Sequence, residues 1–385
     1  MPNPEEICTM WVGGFQFDDW ETVWVQQRYA EPCAQFKFTA AERDNPEYFT
    51  LLKFKPGDRC VIKLGEQVAI TGVIITRQVA YDATNHQVML LGKGITWWAA
   101  TSSVIHKTGN FDGKSFEQAA REVIAPHPVG IKVIGKLDPT PFAKLQLEPG
   151  ETVWDFCERI ARPRGVIMGS DHLGNFLFIG EHAGPITDTL QEGQNILRMQ
   201  CVISQEEIYD PYIVNGQSHG TDEKHGREQT QQRAETPGSS PLYRPKLTPA
   251  EQPVQGISEI AARSRNEAKW GEGTKIQASV TVQGWFHPNS TRLWEPGEDV
   301  VINSPMALLS QALKNEVVTF TQDRQSGSLT TLDMREPWGL NDTNNYNVGN
   351  PNSHPAPGVA SNKTNALPAT PPANNPDQPA AEIKG

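Results

Sequence analysis

The segment Gly109-Asn-Phe-Asp-Gly113-Lys-Ser115 is composed like a phosphate-binding loop, with two glycines followed by a lysine and a hydroxyl. Such a loop needs four residues between its glycines so that enough backbone amides surround the anion. Here there are three, and position 108 is Thr, so the spacing reads as a capped helix start. Asp171-His172 and Glu181-His182 place acid beside base, but neighbours on a strand point to opposite faces, and both pairs read as surface turns. His106, His127 and His287 lack the i, i+4 spacing of a metal-binding helix. The cysteines at 8, 33, 60, 157 and 201 form no C-x-x-C pair, which points to neither a disulfide framework nor a zinc site. Cys60 alternates with Ile62 and Leu64, and Cys157 lies on the apolar face of a helical pattern, so both read as small buried hydrophobes. There is no G-x-S-x-G elbow. The expectation is a chain with no catalytic residue, no cofactor and no metal, and therefore not an enzyme.

The elements around these residues read as packing devices. Residues 113–126 and 150–163 form matching units in which Gly113 falls on Gly150, Ser115 on Thr152 and Pro126 on Pro163. The apolar sets Phe116, Ala119, Ala120, Val123, Ile124 and Val153, Phe156, Cys157, Ile160, Ala161 follow the i, i+3, i+4, i+7, i+8 rule of a helix burying one face. Ser115 with Gln118 and Thr152 with Asp155 are placed to act as capping boxes. Each proline closes its unit.

At 385 residues, with 37% hydrophobic content, 32 Gly and 30 Pro, the chain can hold several domains rich in turns. A net charge of −11 with no basic stripe argues against specific nucleic-acid binding. Residues 1–6 lack the basic and apolar regions of an export signal, and the most apolar run, 68–76, is too short to cross a bilayer, so no membrane insertion is expected.

The fold class expected is α+β and β-rich. Residues 1–98 alternate as an antiparallel unit, with Phe36 and Phe38 on one face and Lys37 and Thr39 on the other. Residues 99–182 form an α/β module with a hairpin at 171–175. Residues 183–285 return to β, with a helix near 257–270 and a polar loop at 218–241 too poor in apolar residues to pack. Residues 286–336 read as a small separate β domain, and the Asn/Pro-rich residues 337–385 as a flexible tail. Ten tryptophans are many for this length. Trp97-Trp98 on a strand would send one ring to the core and one outward. Trp97, Trp98, Trp154, Trp285 and Trp294 stand as candidate interface anchors, with a core role as the other reading.

The segments 147–166 and 170–178 resemble the centre of Mu-type bacteriophage baseplate hub proteins, also called 43 kDa tail proteins. Agreeing with them in order are Pro56-Gly57-Asp58-Arg59, residues 212–217, Tyr243-Arg244-Pro245, Val282-Gln-Gly-Trp285 and Trp294-Glu-Pro296-Gly297. The motif turns are Pro56, Gly57, Pro149, Gly150, Gly174, Pro296 and Gly297. This resemblance implies two small tail-tube-like β-barrels per chain and a homotrimer. It further implies a ring joining a hexameric tail tube to a trimeric spike beside other baseplate proteins of a contractile tail, assembled in the bacterial host cytoplasm and carried in the virion. DNA would pass through an acidic lumen without sticking. The hub of a phage-derived bacteriocin or of a type VI-like injection machine is the alternative. Residues 149–154, which are reminiscent of LysM modules, add the alternative of a peptidoglycan-binding tail module.

Overall fold

A computed structural model of the chain describes residues 6–41, 54–82, 86–182, 186–216, 232–250 and 257–337. Most of the expected tail, and residues 218–231 of the expected polar loop, lie outside these. The first strands are β1 (Cys8–Val12), β2 (Phe15–Phe17), β3 (Thr22–Arg28), β4 (Gln35–Ala41), β5 (Arg59–Leu64), β6 (Gln67–Tyr81) and β7 (His86–Gly94). Alternation sets their faces. Phe36 and Phe38 are buried, while Lys37 is exposed and Thr39 is covered on the opposite side.

A central module follows. Helix α1 (Thr96–Thr101) leads to α2 (Phe116–Ile124) and α3 (Val153–Ala161), packed on a small sheet of β8 (Gly130–Ile134), β9 (Ile167–Ser170) and β10 (Asn175–Ile179). Strand β10 runs parallel to β8 and antiparallel to β9. The predicted apolar faces of both helices are buried together with Phe176 and Phe178. Ser115 makes a full capping box with Gln118. Thr152 caps only by accepting from Asp155 N, and the shorter aspartate takes the Thr152 hydroxyl instead of reaching a backbone amide. The expected 171–175 hairpin joins β9 to β10, with Asp171 Oδ1 accepting from the amides of Leu173 and Asn175.

The later strands are β11 (Ile186–Gln191), β12 (Arg198–Ile203), β13 (Tyr212–Gly216), β14 (Gln232–Thr236), β15 (Lys246–Pro249), β16 (Ile276–Gln283), β17 (Asp299–Ser304), β18 (Leu309–Asp323) and β19 (Gly327–Arg335), with α4 (Ile257–Gly273) before β16. Strands β13, β14 and β15 form a sheet of their own beside α4, tied by the Ser264 hydroxyl to Tyr212 O and Thr236 Oγ1. The described end of the expected loop 218–241 therefore holds a strand, β14, because its backbone pairs with β13 even though its side chains are polar.

Strands from both ends of the chain share one 13-stranded sheet, ordered β12-β16-β19-β18-β3-β4-β7-β6-β5-β1-β2, with β17 and β11 beside β18. Two expectations change here. The strands after 286 form no sheet of their own, because β19 pairs with β16 and β18 pairs with β3. Nor is either β unit a closed barrel, because the sheet is open at its edges.

The sheet is nevertheless built twice. The order β3-β4-β7-β6-β5-β1 recurs as β12-β16-β19-β18-β17-β11. Strands β5, β6 and β7 have 6, 15 and 9 residues, and so do β17, β18 and β19. Gly57 N donates to Ile74 O at 2.8 Å and Ile74 N to Asp58 O at 3.0 Å; Gly297 N donates to Asn315 O at 2.7 Å and Asn315 N to Glu298 O at 2.8 Å. Each pairing is followed by a register shift, at Ile74/Thr76 and at Asn315/Val317. The copies differ in the last strand, where β1 is antiparallel to β5 but β11 is parallel to β17. One apolar core, including Phe38, Ile62, Val280 and Phe320, spans both copies.

Candidate assembly surface

The polar groups singled out in the sequence are spent on holding loops. Lys114 of the glycine-rich segment pairs with Glu122, which also meets His106 Nε2 at 3.1 Å. Those contacts hold the Glu122 carboxyl below its usual range, the lysine bond contributing most. His172 lies 3.9 Å from Glu295, and His182 Nδ1 faces Gly180 O. Burial pushes the Cys33 thiol up to about 11 and Cys60 to about 12. Cys8 and Cys157 are also raised by burial, so these thiols are packing groups with little thiolate character.

A cluster that the sequence did not reveal surrounds His287. The ring stacks on Trp294 at 3.9 Å, with Nδ1 against Asp188 and Nε2 3.0 Å from Glu298, while Arg292 binds the same glutamate at 2.8 Å. Its members come from positions 188, 287, 292 and 298, so spacing alone could not predict it. Among the described residues no serine, threonine or cysteine side chain hydrogen-bonds to the imidazole, and the cluster fastens β11 to the turn before β17. Among the described residues no group of three or more His, Cys, Asp or Glu is placed to hold a metal.

The motif turns share one construction. Gly57, Gly150 and Gly297 have φ of 96°, 85° and 89°, the left-handed region that glycine enters most easily. In each, the acid after the glycine accepts from the amide three residues earlier: Lys55 N to Asp58 at 2.8 Å, Glu148 N to Glu151 at 3.2 Å and Glu295 N to Glu298 at 3.0 Å. Pro56, Pro149 and Pro296 supply the preceding corner. Gly174, at φ 90°, turns β9 into β10.

The candidate tryptophans are scattered. Trp285 and Trp294 are 0% and 1% exposed in the single chain, so their rings are core and have no surface left to offer a neighbour. Trp97 and Trp98 lie on helix α1 and not on a strand. Trp97 is half-buried under the Lys93 ammonium and Trp98 is exposed. Trp154 is half-buried against Phe176 and lines a cleft of about 620 Å³ between the central module and α4, with Arg162, Arg263, Asn266 and Trp270.

Part of the surface not used internally is sheet edge. Among the described residues β12 pairs only with β16; Val202 and Ile203 on it are 50% and 47% exposed, and Leu197 just before it is 58% exposed. Among the described residues the outer part of β6, beyond the reach of β5, pairs with β7 alone, and Val79 there is 44% exposed. Edges with this apolar content invite strand addition.

Comparison with known proteins agrees with an assembly role. Residues 7–94 match the family described as Mu phage baseplate assembly protein GpP-like, N-terminal. Residues 100–180 match baseplate hub protein gp44-like, second domain. The baseplate hub protein gp44 of Escherichia phage Mu is 24% identical over 334 residues, which is 85% of this chain and 86% of that protein. The 43 kDa tail protein of prophage MuSo2 from Shewanella oneidensis superposes with a TM-score of 0.75 at 22% identity, covering 87% of this chain and 99% of the other. A tail protein from Neisseria meningitidis gives 0.73 at 20% identity, covering 87% and 99%. The matched proteins are structural tail components and not enzymes. With two baseplate families matched in succession and a relative spanning most of both chains, this chain is similar to the structural baseplate hub proteins of Mu-type phages.

Proposed function

We propose that three copies of the chain form a ring at the centre of a contractile-tail baseplate, with a sixfold tail tube on one face and a threefold spike on the other. The observation that carries this reading is the doubled sheet. Each chain contributes two six-stranded units of the same order, so three chains supply six similar positions, and a threefold assembly can meet a sixfold neighbour. On this reading the tube-like units are the β3–β7 and β12–β19 copies rather than closed barrels, and the central module and the β13–β15 sheet are attachments to them. The baseplate partners are the tube and spike proteins, and DNA crosses the opening without sequence-specific contact.

Multi-angle light scattering of the purified full chain tests the stoichiometry, and cryo-electron microscopy tests the opening. The expected result is a particle of three chains around a central channel. A stable monomer at micromolar concentration overturns the reading.

A further inference from the structure

We infer that neighbouring copies join by adding the edge of β12 from one chain to the outer part of β6 of the next, repeating between chains the seam that β18 and β3 make within one. This deepens the proposed ring and rests on it.

The internal seam is the template. Val317 to Gln322 pair antiparallel with Val23 to Arg28, with Phe320 opposite Val25, and both side chains are 0% exposed. The internal repeat transfers that register residue by residue. The matched hydrogen bonds set Ile74 in the place of Asn315. After the two register shifts, Thr76 takes the place of Val317 and Val79 that of Phe320. On the other strand, Phe36 lies between Gly92 and Val25, as Ala278 lies between Met334 and Cys201. Gly92 and Met334 stand at the same step before the two shifts, so Cys201 takes the place of Val25. The counterpart of the Phe320–Val25 pair is therefore Val79 of one chain opposite Cys201 of the next. Gln78 then faces Val202, and Arg77 faces Ile203.

The two edges have the character this requires. In the template position the residues are fully covered, whereas Val79 is 44% exposed and Cys201 half-buried in the single chain. Exposed soluble edges are normally guarded by charge, proline or a bulge. Here Val79 and Ala80 follow a single arginine, and Val202 and Ile203 follow an uncharged pair. The two edges are different surfaces, so the contact is head-to-tail, and such contacts close into rings when the rotation allows it. The occupant of each edge is a second copy of this chain, because this chain already makes the same pairing with itself at β3 and β18.

Directly opposed residues of an antiparallel pair have Cα atoms about 4.5–5.5 Å apart, within disulfide reach. The test is Val79→Cys in the full chain, oxidised with copper phenanthroline and run on a non-reducing gel. Cys8, Cys33, Cys60 and Cys157 are buried, so Cys201 is the accessible native thiol. The expected result is conversion to covalently linked chains ending at the size of three. That linkage is lost in Val79→Cys/Cys201→Ser and in Gln78→Cys, whose thiol would lie on the other face of the strand. In the unmodified protein, amides of residues 76–80 and 198–203 should exchange more slowly in the assembly than in dilute, dissociated chain.

A ring seen by light scattering without the Val79→Cys linkage, and with no slowing at either edge, overturns this interface while leaving the ring itself standing. A monomer overturns both. An open ladder of ever longer linked species supports the edge pairing and overturns ring closure.

Discussion

Lys314 and Asp299 are the most deeply placed charges in the sheet, 2.7 Å apart and both 0% exposed, and the Lys314 ammonium also donates to Gly297 O at 2.9 Å. Removing one partner strands the other charge. Lys314→Met is expected to lower stability by about 3–5 kcal/mol in urea unfolding, with Lys314→Met/Asp299→Leu recovering much of the loss. The same corner separates two glycines that look alike in sequence. A Cβ at Gly57 would meet nothing within 4 Å, whereas one at Gly297 would lie 2.5 Å from a Tyr29 ring carbon. Gly57→Ala should therefore cost only the left-handed backbone term, about 1–2 kcal/mol. Gly297→Ala should cost clearly more, read as a larger drop in urea midpoint. The turns were legible as Pro-Gly corners. The difference between them was not, because Tyr29 is distant in sequence.

At the scale of elements, the central module is held by its caps and by a tie to α4. Ser115→Ala removes the hydroxyl that accepts from Gln118 N, leaves the other half of the capping box (residue 115 N to Gln118 Oε1) in place, and is expected to cost about 1 kcal/mol. Glu181 accepts from Lys269 on α4 at 2.7 Å, and that bond, reinforced by the lysine charge, holds the carboxyl below the usual glutamate range. A carboxyl depressed in the folded state stabilises it above the unfolded value and loses that contribution as pH falls through the lower folded value. Wild type should therefore lose the tie as pH falls below the range of a free glutamate, whereas Glu181→Gln should show a shallower acid limb in a melting-temperature profile. The two helices were readable from periodicity because their contacts are local. The tie was not, since nothing in the sequence relates 181 to 269.

For the whole molecule, the decisive contact is the seam between β18 and β3, which merges the two sheet copies into one core. The central module has a separate core built on Phe116, Phe156, Phe176 and Phe178. Phe320→Ala is expected to cost about 3–5 kcal/mol. In calorimetry it should shift the sheet transition as a single unit while the module transition stays in place. Separate unfolding of the two sheet copies would show that the seam does not couple them.

The sequence by itself determined the β-rich class, the faces of the paired helices, the Pro-Gly corners, the burial of Cys60 and Cys157, and the likeness to baseplate hubs, all of which depend on neighbours a few residues apart. Only the tertiary structure decided that the strands after 286 continue the first sheet, that Trp285 and Trp294 are core, and that Trp97 and Trp98 ride a helix. It alone paired β18 with β3 and brought His287 between Asp188 and Glu298. Strand alternation says which face a residue shows but not which strand lies beside it. Those partners are joined across nearly three hundred residues of chain in the case of Phe320 and Val25, and it is such long-range pairing that leaves β6 and β12 as edges.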